Sequence, residues 1–130
     1  MANNCFDITE LEECVKLIVE GIAFTSRVYS ARPKAATQLD SFAVVEVDSS
    51  VEDEGAYGRC VLSISLFAKD VNELKNNKKL GYMQRQLLEH FPAEQNPYIF
   101  DSFPKVLGDT PDDFGFHARI IQFNVLIKAI

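Results

Sequence analysis

From Arg59 to Ala68 the chain alternates strictly: Cys60, Leu62, Ile64, Leu66 and Ala68 share one side, and Arg59, Ser63 and Ser65 the other. A second, longer run closes the sequence at 115–129, with Ile121, Phe123, Val125 and Ile127 on one side and Gln122, Asn124 and Lys128 opposite. A period of two is the strand period, so these stretches must lie in a sheet with one face turned to a core. A third stretch, Ser41 to Asp48, alternates likewise, with Ala43, Val45 and Val47 against Phe42, Val44, Glu46 and Asp48.

The buried face needs a cover, and the spacing predicts two helices for it. Over 9–21, Leu11, Cys14, Val15, Ile18, Val19 and Ile22 form one stripe, with Thr9 and Glu12 as a capping box and Gly21 weakening the end. A second helix is predicted to open at Asp70 with Glu73 and to carry Leu80, Met83, Leu87, Leu88 and Phe91 as far as Pro92. The polar stretch Lys75 to Lys79 dilutes its first turns towards loop. Val28 to Ser30 is expected as an edge strand stopped at Pro33. Residues 49–58 are expected as a hairpin loop, Tyr98 to Phe100 as a short strand, and Gly108 to Asp113 as a turn. The order α-β-β-β-α-β-β over 1–130 predicts a single α+β domain: an antiparallel sheet of mixed strand order with both helices packed on one face.

The chemistry-bearing residues are sparse. Thirteen Lys and Arg against nineteen Asp and Glu leave a net charge of −6, which disfavours unaided binding to nucleic-acid phosphates. Cys5, Cys14 and Cys60 have no metal-ligand spacing and are expected as reduced thiols, the last two packed as small apolar residues. No signal-peptide pattern and no apolar run long enough to span a bilayer is present, so a cytoplasmic chain is expected. No phosphate loop, HExxH or GxSxG occurs, and neither an enzyme nor a cofactor or metal site is expected. His90 fits the last turn of a helix. His117 and Arg119 sit two apart at a strand end, where such a pair could hold an anion. Glu52, Asp53 and Glu54, and Asp109 with Asp112 and Asp113, are expected as solvated loop charge.

Phe42, Val44, Val61, Phe67, Phe116 and Ile120 point away from the face assigned to the helices. With the helices on one side only, they predict an uncovered apolar band, the mark of a subunit contact.

The layout is similar to that of the tail terminator, or tail completion, proteins of long-tailed bacteriophages and prophages. An N-terminal helix is followed by a proline-bearing first strand from Val28 to Pro33, a hairpin from Phe42 to Ala68, one helix, and a closing amphipathic strand from Gly115 to Ile127. The likeness covers nearly the whole chain and is one of layout rather than motif. It implies a non-enzymatic ring, commonly a hexamer, that caps the tail tube and presents a docking surface to the head connector, with DNA only as passing cargo. Such a protein sits in the host cytoplasm during assembly and then in the virion. By position, the interface candidates are Arg32, Phe42, Val44, Glu52, Asp53, Glu54, Arg59, Phe67, His117 and Arg119. Two alternatives stay open: a small domain binding an anionic small molecule at His117 and Arg119, and an adaptor that takes a partner strand at a sheet edge.

Overall fold

The two long alternating runs lie side by side at the centre of the sheet. In the computed structural model, which describes residues 7–33, 38–48, 51–92, 98–101 and 103–128, β4 (Tyr57–Lys69) pairs antiparallel with β8 (Phe116–Lys128) along its whole length. The fold is α+β: among the described residues there are two helices and a mixed sheet of eight strands, whose main path runs β1 (Val28–Tyr29), β2 (Ser41–Val47), β4, β8, β5 (Tyr98–Phe100). The short strands β3 (Glu52–Asp53), β6 (Lys105–Val106) and β7 (Thr110–Pro111) extend the outer rows, β3 on β4 and the other two on β8. Cys5, Ser49, Ser50 and the last residue of the expected closing strand, Ala129, lie outside the described residues.

Both helices, α1 (Ile8–Ile22) and α2 (Asn77–His90), cover the face that the alternation marked as buried. Leu11, Val15 and Val19 from α1 and Leu80, Met83 and Leu87 from α2 pack on Ala43, Val45, Leu62, Ile64, Leu66, Ile121, Phe123 and Val125 in one continuous core. Cys60 is buried there and Cys14 packs at its margin, and burial raises both thiol pKa values, that of Cys60 to about 11.

Three expectations about the elements are corrected. First, the cap of α1 is Asp7 rather than Thr9: the Asp7 carboxylate accepts from Glu10 N at 3.2 Å, and the helix runs through Gly21 to a left-handed Ala23. Glu12, freed from the capping box, accepts instead from Val47 N at 2.8 Å and ties α1 to the end of β2. Replacing Asp7 by alanine is expected to cost about 1 kcal/mol, read as a lower urea midpoint with an unchanged slope. Second, Asp70 and Glu73 do not open α2. Val71 and Leu74 exchange both backbone hydrogen bonds around Asn72 and Glu73, which have φ of 52° and 65°, so the segment is a tight turn, and Asn76 caps the helix by accepting from Lys79 N. Third, β1 pairs with β2 in parallel, while the other strand pairings are antiparallel. A parallel neighbour requires the chain to cross over, and the described residues at the two ends of this connection, Tyr29 and Arg32 on one side and Leu39 on the other, lie on the face opposite the helices.

That crossing overturns the expected uncovered band. Phe42, Val44, Phe67, Phe116 and Ala118 form a second buried cluster, with Tyr29 and Leu39 packed against it from either end of the crossing segment. Phe42 stacks on Phe67 at 4.5 Å between ring centroids and meets Phe116 edge-on at 5.4 Å. Val61 and Ile120 are half-buried. Beyond the aromatic cluster the same face turns polar: Asp48 is hydrogen-bonded by Ser63 and Gln122, and Asn124 reaches Asp101 at 3.2 Å.

Candidate functional site

The strand register of β8 decides where its cations go. His117 lies opposite Ala68 and Arg119 opposite Leu66, so both project to the helix side, at the end where α2, the turn after β4 and the loop before β7 converge. A guanidinium placed there is largely withdrawn from water and requires a partner. Asp109 supplies it in a two-point grip, Arg119 Nε to Oδ1 at 2.7 Å and Nη2 to Oδ2 at 2.8 Å, while Nη1 donates to Gln84 Oε1 on α2 at 3.0 Å. Lys75 Nζ reaches Asp109 Oδ2 at 3.0 Å. The hydrogen bonds from Arg119, reinforced by Lys75, hold the Asp109 carboxyl down at about 2 against the opposing effect of burial, and the same pairing raises Arg119. Asp109 is therefore an internal counter-ion and not the solvated loop charge expected of it. Asp112 also has a local task, its Oδ1 accepting from the backbone of Phe114 and Phe116 to shape the turn into β8.

His117 has its own carboxylate, with Nδ1 2.6 Å from Asp70 Oδ1. Among the described residues its ring has no hydrogen bond to a serine, threonine or cysteine, so this Asp-His pair has no attached nucleophile of the triad kind. Both cations proposed for an anion site are thus occupied within the fold. Among the described residues no group of three His, Cys, Asp or Glu is placed to hold a metal ion, and no helix is long and apolar enough to cross a membrane.

Compared with known proteins, the chain matches no family model and no curated relative.

The remaining sequence candidates divide between interior and surface. Phe42, Val44 and Phe67 are inside the second cluster and unavailable to a partner without unfolding that face. Glu52 and Asp53 form β3 within the stretch expected as a loop, Glu54 begins the turn to β4, all three are exposed, and Arg59 pairs with Glu54 at 3.1 Å. Arg32 lies over the Phe67 ring, 5.2 Å from its centroid. The sequence reading missed Asp109, Asp70, Lys75 and Gln84 as partners. One signal pointed to the first: Arg119 has the same parity as Ile121 and Phe123, which places a cation on the buried face and demands a carboxylate.

Proposed function

We propose that this chain is a structural subunit of phage or prophage virion assembly, forming an oligomeric ring that closes the tail tube and joins it to the head connector. Support comes chiefly from where its exposed apolar side chains sit. Leu17, 67% exposed, lies on the outer side of α1, which packs along β1 and β2. Phe103, 87% exposed, lies with exposed Ile99 and Val106 towards the β5 and β6 side, at the other edge of the sheet. Apolar groups at two different edges suit a head-to-tail contact between copies, and such contacts close into a ring when the rotation between subunits permits. The net charge of −6 keeps passing DNA phosphates from adhering to such a ring. With His117 and Arg119 committed to Asp70 and Asp109, the ionic chemistry holds strands and loops together, which suits a load-carrying subunit.

Negative-stain imaging of tail tubes polymerised with and without the protein tests the role. The expected result is tubes of arrested length with a density at one end. Tubes that grow unchecked with bare ends at saturating protein would overturn it.

A further inference from the structure

From Leu74 to Leu88 the chain carries four cations, Lys75, Lys78, Lys79 and Arg85, and no carboxylate, although the whole chain is at −6. Two of the four are occupied within the fold: Lys75 reaches Asp109 at 3.0 Å, and Lys79 donates to Phe24 O at 3.4 Å with its ammonium over the Tyr82 ring. Lys78 and Arg85 are exposed, and among the described residues neither has a carboxylate partner. Lys78, Gly81, Tyr82 and Arg85 fall at i, i+3, i+4 and i+7 of α2, so they share its outer face. A Cβ at Gly81 would meet Arg85 Nη1 at 3.3 Å and no other side chain, so the guanidinium lies back over the glycine towards Lys78. Glycine inside a helix costs about 1 kcal/mol relative to alanine, and at this position it leaves room for a cation.

A complementary patch stands elsewhere on the chain. Glu52, Asp53 and Glu54 are exposed in succession where β3 turns towards β4, and Arg59 pairs with Glu54. The strand register sets Glu52 in one row with Arg59, Leu126 and Ile99, so the acidic turn and the exposed apolar Ile99 lie at the same end of the sheet. The basic face of α2 and the exposed Leu17 of the neighbouring α1 lie on the outer side of the helix layer.

We propose that the outer face of α2, around Lys78, Tyr82 and Arg85, is the docking surface for the acidic turn 52–54 of a second copy of this chain. The contact rests on the reading that copies of the chain associate, and it gives that association a direction. Each copy offers one basic face and one acidic turn at different places, so the contact is head-to-tail. Exposed ion pairs contribute little affinity one by one; they steer the encounter and fix its register, while the flanking apolar residues Leu17 and Ile99 supply burial.

Sedimentation of the wild type at low and high salt, with paired charge reversals on each surface, tests the contact. Wild-type association is expected to weaken at high salt. Lys78→Glu with Arg85→Glu, and separately Glu52→Lys with Asp53→Lys, are each expected to weaken association about tenfold or more with circular dichroism unchanged. An equimolar mixture of the two variants is expected to associate again, because each reversed surface then meets its complement on the other variant. Lys78→Gln with Arg85→Gln, which adds no acid to the helix, is expected to weaken association less than the reversal. A wild type that stays monomeric overturns the ring reading and this contact together. Association that survives both reversals overturns this contact alone, as does loss in both variants without recovery on mixing. Loss in the α2 variant with the 52–53 variant unaffected gives the face to a different acidic partner and overturns the second copy as its occupant.

Discussion

Phe67→Ala is expected to lower the unfolding free energy by about 3–5 kcal/mol, the cost of emptying a fully buried aromatic site. Phe67 is 1% exposed, stacked on Phe42 on one side and overlaid by Arg32. Its loss leaves Phe42 without its stacking partner and Arg32 without its ring. Urea denaturation at a fixed protomer concentration, so that any association is held constant, checks this by a large fall in midpoint. Phe103→Ala, at an 87% exposed position, is the matched control and is expected to stay within about 0.5 kcal/mol. Equal behaviour of the two variants would mean that the second face of the sheet is not a core.

Asp109→Asn is expected to cost about 3 kcal/mol, because it leaves the largely buried Arg119 and its neighbour Lys75 facing a neutral amide. The same pair gives the protein an acid-sensitive window. The folded-state pKa of Asp109 is about 2, below the ordinary 3.8, so its ionised form is favoured by folding. The resulting stability, about 2 kcal/mol, is fully present above pH 3.8 and is lost as pH falls from there through 2. A plot of unfolding free energy against pH should therefore fall in this window for the wild type and be flatter for Asp109→Asn. Parallel curves would show that Arg119 does not hold the carboxylate.

The sheet was legible because its signal is periodic: the parity of Leu62, Ile64, Ile121 and Phe123 assigns their face without knowledge of strand order. The cover of the opposite face was not, since the residues Tyr29, Arg32 and Leu39 that provide it show no periodicity and reach partners distant in sequence, as Arg32 does at Phe67. A helix start was misplaced for a related reason. Asp70 and Glu73 satisfy a capping pattern, yet the left-handed Asn72 and Glu73 close a tight turn first, and Val71 and Leu74 stay exposed, so the segment has no buried stripe that would hold a helix to the sheet. The grip of Asp109 on Arg119 bridges only ten residues, but it depends on the loop before β7 folding back along β8. Charge composition carries no trace of that path, whereas the parity of Arg119 does announce that some partner must exist.

Light scattering on the purified protein across a concentration series, alone and with tail-tube protein, tests the proposed ring. The predicted result is a discrete oligomer near six times the 14.6 kDa chain mass, reduced to monomer by Phe103→Asp or Leu17→Asp while the circular dichroism of the fold is retained. A strict monomer at every concentration, unaltered by tail-tube protein, would contradict it.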